Sequence, residues 1–206
     1  MNEQLPNNTD LLFKEMEDVD TNSWLKNPAN KFFLYSEGYR EAGKKLHEHC
    51  SANLFYSNAL VYPLIFCYRQ FLELRIKELL IMSYKYLDDS EKDFPDKHNL
   101  MELWSIYRTK LLPRIESSVE KDVLDNVEKL LVEFNKEDPN SMSFRYPVTK
   151  APNRKPSLNR TTIDLNNFKL IIDKLIYFFD WQWDMISSYQ DLKQEMLSDM
   201  YRDNWR

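Results

Sequence analysis

Residues 60–80 read LVYPLIFCYRQFLELRIKELL, and this stretch decides the fold. Leu60, Leu64, Phe71, Leu72, Ile76, Leu79 and Leu80 return to one side at helical intervals. The pattern extends over about Leu54–Leu87. At ~1.5 Å per residue it predicts the longest rod in the molecule. Pro63 marks a kink or the start of its regular part. Charges ride on the same rod. Arg69–Glu73 and Glu73–Lys77 are spaced i,i+4 and can pair along its surface. Glu73 belongs either to a solvated row or to an inward-facing pair with a charge from elsewhere.

Working outward, the chain predicts more helix on both sides. A first helix is expected over about Ala29–His47, with Phe32, Phe33, Tyr35, Tyr39, Ala42 and Leu46 as its stripe. Gly38 and Ala42 share a face, where small side chains let another helix approach, within the fold or across a dimer. Asn99 can cap a third helix with Glu102 reaching back as in a capping box, and Pro113 ends or bends it. A fourth is expected over about Ile115–Phe134. Asp138-Pro139-Asn140-Ser141 then reads as a type I turn. Tyr146 precedes Pro147, which favours an extended Arg145-Tyr146. Residues 144–163 lack helical period and predict an irregular or short β-hairpin insertion. The last helix is expected over about Asp164–Leu197. It carries one stripe through Leu165, Phe168, Ile172, Leu175, Phe179, Ile186 and Tyr189, and a second through Ile171, Phe178, Met185 and Leu192. Two stripes imply burial against more than one neighbour. The run Phe178–Trp183 holds enough aromatics for a dimer surface or a thick core. The expected class is all-α, with an acidic arm over 1–28 and one helical domain over 29–206.

Composition excludes several chemistries. Among 206 residues only 2 are glycine, and phosphate-cradling loops and nucleophile elbows need that residue. The net charge is −5, so any nucleic-acid contact has to be local rather than spread over the surface. Cys50 and Cys67 form neither a disulfide framework nor a four-cysteine zinc site. The N-terminus lacks a signal-peptide pattern, and no stretch reaches the ~20 apolar residues of a spanning helix. A cytoplasmic protein with no membrane contact, metal or cofactor is the expectation.

LVYPLIFCYRQFLELRIKELL, then KHNLMELW, then DPNSMSFRYP before a long final helix resembles the HEPN superfamily of α-helical domains. The likeness is to bacterial sequences with a YRxxLELxxK second helix and an FRYP turn. It covers roughly residues 31–190. The resemblance implies a bundle of about five helices around a long antiparallel pair, often as a homodimer. It also implies a place in prokaryotic toxin–antitoxin or anti-phage systems. Many members are metal-independent RNases, with an arginine and a histidine four to six residues apart on one helix.

Of the chain's arginine–histidine pairs, Arg40 and His47 come nearest to that spacing, on one face of the first helix. There the arginine would hold a phosphate and the histidine would move a proton. His98 has no arginine just upstream; it serves the Asn99 cap or joins a composite site with Arg145. Arg145, between Phe144 and Tyr146, reads as a buried, stacked anchor of the Tyr146-Pro147 step, paired with Glu73 or Glu78. Against this, residues 139–163 contain no acid, while Arg145, Lys150, Arg154, Lys155 and Arg160 are basic. That positive segment is the candidate contact for RNA, a nucleotide or an acidic partner encoded nearby. Two functional classes stay open: a non-catalytic HEPN-like binding module, and a metal-independent RNase with a non-standard site.

Overall fold

The structure is a computed structural model, and it describes residues 5–13, 23, 25, 31–89, 94–116 and 118–203. Most of the expected acidic arm lies outside the described residues. The elements run α1 (Lys31–Ala52), α2 (Leu54–Tyr86), α3 (Leu100–Ile106), a π-helical segment (Tyr107–Leu111), α4 (Leu112–Ile115), α5 (Lys121–Glu137) and α6 (Leu165–Asp203). The described chain is all-α. None of its helices is long and apolar enough to cross a membrane.

One residue separates α1 from α2. Asn53 is extended, and its side chain accepts from the Phe55 N–H at 3.1 Å, which starts a new helix in a new direction. The two then pack as an antiparallel hairpin: the Tyr39 ring meets Phe66, and Glu37 reaches Arg75. Close approach occurs at Gly43, not at the expected Gly38 and Ala42. A Cβ on Gly43 would lie 2.9 Å from the buried Tyr68 ring, whereas a Cβ on Gly38 meets nothing within 4 Å. Gly43→Ala should therefore cost about 1–3 kcal/mol by overpacking, partly offset by helix propensity. Gly38→Ala should add about 0.5–1 kcal/mol. Urea melts of the two variants check the opposite signs.

α2 is the central rod. Its buried residues, including Leu64, Phe71, Leu72, Ile76, Leu79 and Leu80, point around most of the helix, as a helix covered on several sides requires. Pro63 sits in its exposed first turns, within the helix. α6, at 39 residues, outruns the 33 of α2, so α2 is not the longest rod. Contacts advance together along both helices. The Tyr68 and Phe168 rings meet, Arg75 reaches Asp180, Trp183 reaches Glu78, and Lys193 reaches the Tyr86 carbonyl. α2 and α6 are thus parallel, and the antiparallel pair is α1–α2.

α3 starts where expected. Asn99 Oδ1 accepts from the Met101 and Glu102 N–H groups at 2.9 and 3.2 Å. Glu102 does not reach back; it pairs with Lys97 at 2.6 Å. Pro113 neither ends nor sharply breaks the helix. It has no N–H for the carbonyl four residues back and its ring crowds that carbonyl, and the π segment immediately before α4 widens the turn there. α5 begins at Lys121, six residues after the predicted Ile115, which belongs to α4. The extended Glu116 ends α4. Trp104, Tyr107, Leu131, Phe178 and Phe179 close the core against α2. Of the aromatic run, Phe178 and Phe179 are buried and Trp181 is exposed.

No strand forms among the described residues of the 144–163 excursion. A single antiparallel bridge joins Val148 to Pro156, with Thr149 N–H donating to the Lys155 carbonyl at 2.8 Å. Arg145 is not extended; it and Tyr146 both donate backbone N–H to the Met142 carbonyl. Asp164 then caps α6 through the Asn166 and Asn167 N–H groups.

Candidate functional site

The quoted motifs meet in space around Glu73. Glu73 is 2 % exposed, and its carboxylate takes three donors: Arg69 Nη1 at 3.2 Å, Lys77 Nζ at 3.0 Å and His98 Nδ1 at 2.8 Å. Arg69 carries the connection further. Its Nη2 donates to the His98 carbonyl and its Nε to the Asp138 carbonyl at 3.4 Å. Asp138 is itself buried, with Oδ1 accepting from Met142 and Ser143 N–H. Gln70 donates to Ser141 beside it. One helix, one loop and one turn are therefore locked by a single chain of charge-assisted bonds. Burial pulls the Arg69 pKa below its ordinary value, and Glu73 and Asp138 oppose that pull.

A second network lies one turn on. Arg75 sits between the Phe33 and Phe71 rings, each 5.5 Å from its guanidinium carbon. It pairs with Glu78 at 3.0 Å, Glu37 at 2.7 Å and Asp180 at 3.3 Å. Arg40 binds the same Glu37 and Asp180. This network ties α1, α2 and α6 together. Arg40 is thereby committed to carboxylates, and no hydrogen bond or ion pair joins it to His47, whose Nε2 is buried without a partner.

Arg145 departs most from expectation. It is exposed, and neither Glu73 nor Glu78 is its partner. The reason is that α2 supplies its own counterions: Arg69 and Lys77 hold Glu73, and Arg75 with Trp183 holds Glu78. Phe144, 6 % exposed, takes the buried place beside the turn. The stacking remains. The Arg145 guanidinium lies 5.5 Å from the Phe66 ring and 5.3 Å from the Tyr146 ring. Tyr146 and Pro147 are exposed at the mouth of the excursion.

The basic segment divides. Arg160 is tied to α5 through Glu137 at 2.9 Å and Glu133 at 3.7 Å, so it fastens the segment and is not a free cation. Two clefts of about 500 and 640 Å³ flank it, sharing Phe144, Arg160, Thr162, Ile163 and Asp164. Lys150, Arg154 and Lys155 are exposed at the tip, and among the described residues their side chains pair with no carboxylate. His98 is the open end of the Glu73 network, with its side chain 63 % exposed. Because an ionised carboxylate only accepts, Nδ1 donates and Nε2 faces outward.

His47, His49 and Cys50 do not converge on a metal. Among the described residues no group of three or more His, Cys, Asp or Glu could hold one. Both cysteines are free and buried. The Arg69–Glu73 and Glu73–Lys77 pairs form at the predicted spacing, but buried; the bonds of Arg69 to the His98 and Asp138 carbonyls, and the whole role of Arg75, were missed. The fold and site define a helical bundle braced by buried charge, with one exposed basic loop. No protein-family model, curated protein or solved structure matches the chain.

Proposed function

We propose that this chain is a non-catalytic, HEPN-like helical module that binds RNA through residues 145–155 in a prokaryotic defence or toxin–antitoxin type system. A nucleotide, or an acidic protein encoded nearby, presents related chemistry to the same segment. One observation carries the reading: Arg145, Lys150, Arg154 and Lys155 are exposed without carboxylate partners in a chain of net charge −5. Arg145 is held between two rings, so its planar fork is ordered before a phosphate arrives. Phe144 and the Arg160–Glu137 pair hold the two sides of the loop. The system membership rests on the resemblance alone. Fluorescence anisotropy with a labelled single-stranded RNA tests the binding. If Arg145 and the three tip cations each neutralise one phosphate, log Kd should rise with log salt with a slope of about 3. Absence of binding at low salt would remove the reading.

A second reading, a metal-independent RNase, is favoured by the Glu73–His98 geometry. A buried carboxylate fixes one imidazole nitrogen and leaves the other exposed, which is the arrangement a general base needs. His98→Asn separates the roles, since the asparagine amide can still donate to Glu73 but has no group at the Nε2 position. Under this reading, cleavage of a mixed RNA pool in chelator disappears in His98→Asn at unchanged melting temperature. Under the preferred reading neither protein cleaves.

A further inference from the structure

We infer that the cleft of about 500 Å³ between α5 and α6 is a binding site for a small amphipathic carboxylate of the fatty-acid type. Ile65 of α2, Phe144 of the excursion, and Ile172 and Leu175 of α6 line it, and all four are between 2 % and 6 % exposed. Leu130 of α5 and Ile171 of α6 flank them, both half-buried. Four separate elements thus turn apolar atoms toward one space. Small-molecule pockets have this composition, occupy about 300–1,000 Å³ and often lie between the helices of a bundle.

The frame of the cleft keeps it open. On its far side α5 is fastened through Glu128, which accepts from Trp104 Nε1 at 3.0 Å and from Arg108 at 2.6 Å. Toward α6 it makes a ring contact, Phe134 on Phe168 at 6.1 Å. Residues 160–164 then cross from one helix to the other. Arg160 bonds Glu137 and Glu133 of α5, and Asp164 caps α6. A strap fixed at both ends opposes collapse of α5 onto α6.

The rim selects the head group. Its charges are Lys129, Arg160, Glu133, Glu137 and Asp164. Arg160 occupies both glutamates, and Asp164 is occupied by the Asn166 and Asn167 N–H groups. Lys129 is exposed and, among the described residues, has no ion pair, although Glu133 stands one turn on. Thr162 and Asn167 add a hydroxyl and an amide that make no side-chain hydrogen bond among the described residues. An uncommitted cation with two neutral donors fits a carboxylate. A cationic head would meet only acids that already have partners. The basic tip contributes no residue to this cleft, so amphiphile binding and RNA binding are independent.

Equilibrium dialysis of the full chain against dodecanoate, below its micelle concentration, tests the site. Binding should saturate at one molecule per chain. Dodecyltrimethylammonium should bind about fivefold more weakly or worse. Lys129→Glu, at an exposed position, should raise the dodecanoate Kd about fivefold or more and abolish the preference for the anion. Ile171→Trp should fill the cleft and raise the Kd for both probes at least about tenfold, with helix content by circular dichroism unchanged. Should that variant fail to fold, Lys129→Glu decides alone. Absence of saturable binding overturns the inference. So does a dodecanoate Kd that folded Ile171→Trp leaves unmoved, which would mark adsorption elsewhere. Equal affinity for the two head groups, or indifference to Lys129→Glu, overturns the carboxylate assignment.

Discussion

Glu73→Leu should destabilise the protein by about 3–5 kcal/mol. The substitution removes the one carboxylate that Arg69, Lys77 and His98 share. Arg69 and Lys77 would remain 0 % and 6 % exposed, with their principal counterion gone. For a chain of this size the melting temperature should fall by roughly 6–20 °C. Differential scanning calorimetry reads the change directly. The triple variant Arg69→Met, Glu73→Leu, Lys77→Leu isolates the cause. It takes away every member of the pair row and fills the space with apolar atoms, so it should recover much of the loss. A triple variant less stable than Glu73→Leu would show that Arg69 matters chiefly through its bonds to the His98 and Asp138 carbonyls. The 98 loop and the 138 turn would then be the parts that fail first.

That network explains why the opening motifs occur together. Tyr68-Arg69 and the LEL run lie on one rod, but His98 and Asp138 come from a loop and a helix end far along the chain. Each motif was legible in the sequence. Their meeting point was not, because nothing in spacing along a sequence records a contact between carbonyl oxygens and a distant guanidinium. Buried charge of this kind contributes little net stability compared with apolar packing. It does fix the position of each element it touches, which helical packing alone leaves freer to slide.

Elements whose signals are local were read well. Asn53 is followed directly by the predicted start of α2, and Asp164, predicted as the start of the last helix, caps α6 one residue before it begins. These are short side-chain-to-backbone bonds, encoded within a few residues. The failures were tertiary. Arg145 in an aromatic setting looked buried, yet burial of one residue at that step sufficed, and Phe144 took it. Gly38 and Gly43 cannot be told apart in sequence, and only the position of Tyr68 separates them. The fate of Arg160 had a faint local trace. Glu133 and Glu137 stand i,i+4 on one helix face, a carboxylate pair that needs a cation and receives one from the passing loop.

Reversing the tip charges should have the largest effect on binding. Lys150→Glu, Arg154→Glu and Lys155→Glu together replace three exposed cations with three anions at positions where no side chain depends on them. For single-stranded RNA each neutralised phosphate contributes a salt slope of about 0.7, so losing three contacts removes a slope of about 2. Between 50 and 200 mM salt that slope alone corresponds to a change in wild-type Kd of roughly 20-fold. The triple variant should therefore lose at least that much affinity at the lower salt and keep only the salt slope of about 0.7 that Arg145 contributes. Its melting temperature should stay within about 3–6 °C of the wild type, since each exposed substitution away from packed features costs within about 0.5 kcal/mol. Arg145→Lys provides the finer comparison. It keeps the charge but loses the planar fork held between Phe66 and Tyr146, so affinity should fall by less than in the triple variant while the salt slope is retained. If the triple variant binds as the wild type does, the cation cluster is only a solvated loop, and the contact for any polyanion must be sought elsewhere on the bundle.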